Sequence, residues 1–194
     1  EETGIAPAYI NQFRTYSDVS RDKRPVKGKK VRVVTTSFNA IYTSTDDPVI
    51  SEESSEYKWF KIPRRYIDRS IPKLAFDHYK ILTDAANRLR VDLEYSGLAT
   101  RFLPKHFTLG QIQDVYEVIW EVDLDPANFR DKLTNVEGWI KEIKNPPKEL
   151  DNRRGKPPTW YKEQDVPQFE RMISNPNGAV LREKESEYQK NLDN

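Results

Sequence analysis

The chain has 194 residues, enough for one large domain or two small ones of about 100–150 residues each. Its 32 Lys and Arg almost balance 31 Asp and Glu, which excludes a globally basic nucleic-acid coat and an acidic, disordered solvating chain. Without cysteine it has no disulfide scaffold, cysteine-ligated zinc site or thiol nucleophile. No signal peptide opens the chain and no apolar run reaches the roughly 18–20 residues of a membrane span. We expect a soluble, cytoplasmic protein without a membrane partner.

The first third of the chain predicts short elements separated by polar loops. Residues 1–5 are typical of the last turn of a helix that ends at a glycine. Residues 11–22 are polar and rich in turn formers, which predicts a loop. Residues 29–42 are rich in β-branched side chains and predict a largely buried strand, and the alternating residues 57–62 predict a second one.

A long amphipathic helix is predicted from Ala75 to about Tyr95. Apolar side chains recur there at three- and four-residue spacing without Gly or Pro between them. The apolar positions are Phe76, Tyr79, Leu82, Ala86, Leu89 and Leu93. Asp77 would lie in the first turn, where a negative charge suits the helix dipole.

The next segment predicts two helices joined by a short turn. Thr108 and Gln111 form the Thr-x-x-Gln pattern of a capping box, and the helix that they start would end near Trp120. Asp125 is the expected N-cap of the second helix, with Pro126 at its first position. Strands are predicted at 139–143 and 159–161, on either side of a polar loop. The buried side of the second helix would consist of Phe129, Leu133 and Val136. This order of elements is that of a winged helix-turn-helix.

In such a unit the second helix lies in the major groove of DNA. With Phe129 and Leu133 turned to the core, the outward residues would be Ala127, Asn128, Asp131, Lys132 and Asn135. Asn can bond adenine at two atoms and Lys can reach guanine or phosphate, so Asn128, Lys132 and Asn135 are candidate DNA contacts.

The predicted hairpin is locally basic. Residues 141–162 carry seven Lys or Arg against three Asp or Glu, and Arg153, Arg154 and Lys156 are candidate phosphate contacts in its loop. Winged helices also serve as protein-docking modules, and surface lysines are often only solvated. Both alternatives stay open at this point.

Several short stretches, in this order, resemble one family of bacterial proteins. They are Glu1-Glu2-Thr3-Gly4-Ile5, Trp59-Phe60-Lys61-Ile62, Leu74-Ala75-Phe76-Asp77-His78, Leu93-Glu94-Tyr95-Ser96, Phe107-Thr108-Leu109, Asn128-Phe129-Arg130-Asp131-Lys132-Leu133 and Arg154-Gly155-Lys156-Pro157-Pro158. The first is similar to the closing residues of the Nudix box. Together they are similar to Nudix proteins with a C-terminal winged helix, the Nudix-related transcriptional regulators and their ADP-ribose pyrophosphatase-like relatives.

The resemblance implies an α/β fold, a partial Nudix α/β/α sandwich, followed by a winged helix-turn-helix. Residues 1–95 would be the C-terminal part of the Nudix domain with its final helix, residues 96–162 the winged helix-turn-helix, and residues 163–194 an acidic tail. It places Glu1 and Glu2 at metal-binding positions, with Mg²⁺ as the expected cofactor, because hard carboxylate oxygens suit that ion.

The family contains both sensors and enzymes, and the resemblance leaves two functions open. In the first, a homodimeric regulator binds double-stranded DNA and senses ADP-ribose or a related nucleotide sugar. In the second, a Mg²⁺-dependent hydrolase of nucleoside diphosphate-linked compounds uses the winged helix for docking or dimerisation. The front of the Nudix box would distinguish them, and the sequence does not include it. Lys156 stands where many relatives have Arg. Lysine keeps the charge but lacks the planar fork for a contact with two hydrogen bonds, so base reading by the hairpin loop is less favourable.

Overall fold

A computed structural model describes residues 6–19, 21, 25–26, 29–43, 74–147, 150 and 157–164. The chain divides into two compact units, Glu1–Leu89 and Arg90–Asn194. Within the described ranges no helix has the length and apolar character that crossing a membrane requires. The predicted strand at 57–62 and nearly all of the predicted tail lie outside the described residues.

The first unit contains an antiparallel strand pair, β1 (Tyr9–Tyr16) and β4 (Thr35–Ile41). The pairing runs from Tyr9 opposite Ile41 to Tyr16 opposite Thr35, with an irregularity between Gln12 and Arg14. A second, very short pair is formed by β2 (Pro25–Val26) and β3 (Lys29–Lys30).

Two sequence predictions for this unit are wrong. Residues 11–16 form part of β1 rather than a loop. This polar strand is held by its backbone pairing with β4, and Tyr16 is its one buried residue. The predicted strand 29–42 is divided between β3 and β4, with residues 31–34 outside any strand. β4 is moreover half-buried, because its burial alternates along the strand and Phe38 is 53% exposed.

The predicted long helix is confirmed as α1 (His78–Tyr95), which starts three residues later than expected. Asp77 lies one residue before the first turn, and its carboxylate accepts two hydrogen bonds from Arg21, at 2.8 and 2.9 Å. These bonds hold the pKa of Asp77 below its ordinary value. Phe76 lies before the helix with a φ of 55° and is 48% exposed. Of the predicted apolar positions only Leu93 is buried, and Leu82 is exposed.

The second unit begins with the last residues of α1 and a 3₁₀ helix, Gly97–Phe102. Helices α2 (Leu109–Trp120) and α3 (Pro126–Thr134) follow. An antiparallel pair, β5 (Ile140–Glu142) and β6 (Tyr161–Glu163), completes the unit. The predicted order of helix, turn, helix and hairpin is therefore confirmed.

Candidate nucleic-acid interface

Helix α2 starts at the capping box that the sequence predicts. The Thr108 hydroxyl accepts the Gln111 backbone N–H at 3.3 Å, and the Gln111 side-chain oxygen accepts the Thr108 N–H at 2.9 Å. Two backbone donors that the helix itself leaves without partners are satisfied in this way. The start of α2 is thus fixed by local chemistry.

The turn between α2 and α3 is held by side chains of α2. Helix α2 ends at Trp120 and is capped by Glu121, which adopts the left-handed conformation with a φ of 58°. The Glu117 carboxylate accepts hydrogen bonds from the Gln113 side chain at 2.8 Å and from the Leu124 backbone N–H at 2.9 Å. The bond from Gln113, followed by that from Leu124, lowers the pKa of Glu117. At ordinary pH the ionised carboxylate therefore fixes the geometry of the turn.

Helix α3 begins as predicted, at Asp125 and Pro126. The Asp125 carboxylate accepts the Asn128 backbone N–H at 2.8 Å, and Pro126 occupies a first-turn position that needs no N–H donor. Phe129 and Leu133 are 3% and 0% exposed, which confirms these two residues of the predicted buried side.

An aromatic cluster fixes α3 against α2. The rings of Tyr116 and Phe129 meet edge to face with centroids 5.4 Å apart, and Tyr116 meets Trp120 in the same way at 4.7 Å. The Tyr116 hydroxyl donates to the Leu93 carbonyl at 3.1 Å, and burial raises the pKa of this phenol, so it stays protonated. Because these rings are close-packed, the outward face of α3 has a defined orientation relative to α2.

The three candidate contacts on α3 share one exposed face. Asn128, Lys132 and Asn135 are all exposed, at spacings of four and three residues that form a row along a helix. Ala127 and Asp131, also predicted to face outward, are exposed as well. The structure thus brings two amides and one cation together where a groove could receive them.

The hairpin after α3 forms a small two-stranded wing. Gly138 turns the chain with a φ of 77°, and β5 then pairs with β6. Phe107 adds an isolated antiparallel bridge to this pair, since its N–H and C=O bond the Tyr161 backbone at 3.0 and 2.8 Å. Trp139 and Trp160, which flank the strands, are 0% and 9% exposed and attach the wing to the core of the unit.

The structure shows two basic features that the sequence did not indicate: the register of two lysines already counted in the basic hairpin, and an arginine on α3. Lys141 and Lys162 lie directly opposite each other across the wing strands, and both are exposed. Arg130 lies exposed on α3, at a position that the sequence analysis did not select. Only the pairing register of the two strands shows that the lysines face each other, and only the position of the wing shows why Arg130 matters. The predicted contacts Arg153, Arg154 and Lys156 lie outside the described residues and stay predictions.

The lysine pair gives a prediction with opposite effects on stability and binding. Like charges directly opposite on paired strands repel each other, so Lys162→Glu is expected to stabilise the unit by roughly 0.2–1 kcal/mol. The same change places a carboxylate on the wing and is expected to weaken binding to any duplex. Urea denaturation and fluorescence anisotropy measure the two effects. Lower stability together with unchanged duplex affinity would contradict the assignment.

The predicted magnesium site is not part of the described structure. Glu1 and Glu2 lie outside the described residues, and among those that are described no three His, Asp or Glu side chains are grouped as metal ligands. The site therefore stays a prediction of the Nudix resemblance.

Two helices joined by a fixed turn, an exposed second helix and a following wing define a winged helix-turn-helix. Residues 99–162, which include this winged helix-turn-helix, match the family model described as the NrtR DNA-binding winged helix domain. Over 134 residues the chain is 27% identical to the ADPR responsive transcriptional repressor NtrR of Acinetobacter baylyi. That match covers 69% of the chain and 49% of the repressor, so the chain spans about half the length of this relative.

Solved structures show the same fold. NrtR of Shewanella oneidensis matches at 24% identity with a TM-score of 0.60, over 89% of this chain and 73% of that one. The same protein complexed with a 27mer DNA matches at 23% identity and a TM-score of 0.60, over 89% and 74%. A MutT/nudix family protein from Enterococcus faecalis matches at 22% identity and a TM-score of 0.60, over 84% and 66%. These likenesses confirm the predicted fold class, a Nudix-type α/β part followed by a winged helix-turn-helix.

Proposed function

We propose that this chain binds double-stranded DNA through its winged helix and belongs to a transcriptional regulator that responds to ADP-ribose. The observation that carries the proposal is the exposed row of Asn128, Lys132 and Asn135 on a helix whose buried side is fixed by Phe129 and Leu133. A rigid helix that presents amides and a cation suits the edges of bases in the major groove.

Charge on the wing supports contact with the DNA backbone. Lys141, Lys144 and Lys162 are exposed there, and cations on a wing neutralise phosphates whichever bases they flank. Two similar proteins point the same way, since one is named a transcriptional repressor and the other was solved with DNA. Phosphate contacts would set the register of the winged helix on the duplex, and the row on α3 would read the sequence.

Response to ADP-ribose is the second part of the proposal. Its support is that the similar Acinetobacter repressor is named as ADPR responsive, together with the Nudix-type fold of the first part of the chain. We propose further that two copies pair, because recognition helices about 34 Å apart read a palindrome. Mg²⁺ binding at Glu1 and Glu2, with hydrolysis as the alternative activity, stays a prediction.

The double variant Asn128→Ala plus Lys132→Ala tests the DNA-reading row. A base contact is worth about 1–3 kcal/mol, so losing two is expected to weaken binding to a selected duplex by about 30-fold or more. The duplex would be enriched by the wild type from a randomised pool, and anisotropy would be measured with and without ADP-ribose. Adding ADP-ribose is expected to shift the affinity of the wild type for this duplex.

A matched control is Lys80→Ala, which removes one positive charge from α1 in the first unit and should leave binding nearly unchanged. If the wild type enriches no duplex, the winged helix is a docking module and the proposal is wrong. If it enriches one that ADP-ribose does not affect, the sensing part alone is wrong.

A further inference from the structure

We propose that Arg130 holds a phosphate of the DNA backbone at a cleft between the start of α2, helix α3 and the wing. The inference rests on the proposed DNA binding and assigns one particular contact to it. It adds a second kind of contact to the row of Asn128, Lys132 and Asn135, one that would not depend on the base sequence.

The cleft has a volume of about 250 Å³ and is open to solvent. Its lining comes from the start of α2, from α3, and from β6 with the residues that precede it. The lining residues are Thr108, Leu109, Gly110, Arg130, Pro158, Thr159 and Tyr161. Arg130 is the charged group among them, so an anion is the ligand that this cleft would favour.

Arg130 differs from the other arginines of the described part of the chain. Arg14, Arg21, Arg90 and Arg101 form ion pairs with carboxylates at 2.8–3.4 Å, Arg32 donates to a backbone carbonyl, and Arg88 also has a partner. The Arg130 side chain has neither a hydrogen bond nor an ion pair with another described residue. A free guanidinium keeps its planar fork available for two hydrogen bonds to one phosphate.

The position of Arg130 on α3 separates it from the base-reading row. It is two residues from Asn128 and two from Lys132, which places it about 200° around the helix axis from each. The row and Arg130 therefore flank opposite sides of the exposed face, with Asp131 between them. A helix seated in a major groove has a phosphate backbone along each side, and Arg130 lies on the side of the wing.

Glu142 and Arg130 have opposite electrostatic effects on the Tyr161 phenol. The pKa of the Tyr161 phenol is raised first by burial and then by the Glu142 carboxylate, whereas Arg130 lowers it. Both charges thus act on the same phenol at the cleft. Glu142 weakens the attraction of the cleft for an anion, so Glu142→Gln and Arg130→Gln are expected to change phosphate binding in opposite directions.

The test compares wild type and Arg130→Gln on a mixed-sequence duplex and on a duplex enriched from a randomised pool. Losing one phosphate contact is expected to reduce the slope of log K against log salt by about 0.9. The corresponding loss of affinity at 0.1 M salt is about eightfold and equal on both duplexes. Arg130→Lys should keep the slope, and Glu142→Gln should strengthen binding to both duplexes. The matched control is Arg101→Gln, whose guanidinium is already paired with Glu163, and it should change the slope much less.

Thermal unfolding of each variant verifies the fold, and the exposed position of Arg130 predicts an unchanged melting temperature. Three results would overturn the inference: affinity unchanged on both duplexes, loss confined to the enriched duplex with the slope intact, or an equal change in Arg101→Gln. Inorganic phosphate that stabilises the wild type but not Arg130→Gln, with duplex binding unaltered, would assign the cleft to a small phosphate and also overturn it. If the wild type binds neither duplex, the proposed function fails first and the DNA source of the phosphate fails with it.

Discussion

Replacing Phe129 with alanine is expected to destabilise the second unit by about 3–5 kcal/mol and to abolish duplex binding. The ring is 3% exposed and packs edge to face on Tyr116, so its removal leaves a cavity between α2 and α3. A small unit has a total stability of only about 5–15 kcal/mol, and a loss of this size leaves much of it unfolded. Denaturation followed by tryptophan fluorescence measures the change directly, since Trp120 and Trp139 are buried in this unit.

Lys132→Ala is the control within the same helix. The Lys132 side chain is exposed, so the stability of the variant should change by less than about 0.5 kcal/mol while its affinity for the duplex falls. Phe129→Ala should thus lose fold and binding together, and Lys132→Ala should lose affinity alone. A Phe129→Ala variant as stable as the wild type would show that α3 is not held as described.

Gly97→Ala is expected to cost the second unit at least about 1–3 kcal/mol. A methyl group at Gly97 would lie 2.3 Å from Nε1 and 2.8 Å from Cδ1 of Trp139, whose side chain is 0% exposed. The indole cannot move away without disturbing the attachment of the wing. The melting temperature of the variant measures the cost, and its duplex affinity reports whether the wing has shifted.

Gly110→Ala is a matched substitution that is expected to change the stability of the second unit in the opposite direction. In the first turn of α2 the added methyl group would meet only Thr108 Oγ1, at 3.8 Å, which is an ordinary contact. Alanine is the better helix former by about 1 kcal/mol, so this variant should be slightly more stable than the wild type. Equal destabilisation by the two changes would disprove the contact between Gly97 and Trp139.

Local chemistry explains which parts of the second unit the sequence predicts correctly. The start of α2 is signalled by Thr108 with Gln111, and the start of α3 by Asp125 with Pro126. Each signal lies within four residues, so no distant contact is needed to recognise it. Phe129 and Leu133 lie four residues apart on the helix that Asp125 starts, so their shared burial follows from helical geometry. The candidate row on α3 was predictable for the same reason.

Contacts between distant residues account for what the sequence did not predict. Strand β1 is polar and exists because its backbone pairs with β4, which no pattern within residues 9–16 indicates. Asp77 was assigned to a helix dipole, whereas its partner Arg21 lies 56 residues away. Gly97 against Trp139 and Lys141 opposite Lys162 likewise depend on how separate segments pack and pair.

Nuclear magnetic resonance titration of the ¹⁵N-labelled chain with an enriched duplex tests the central claim, that α3 and the wing form a DNA-binding surface. Amide signals of residues 126–135 and of β5 and β6 are expected to shift on adding duplex, with Asn128, Arg130 and Lys132 among the largest changes. Signals of β1 and β4 should shift least. Shifts confined to β1 and β4, or none at saturating duplex, would contradict the claim.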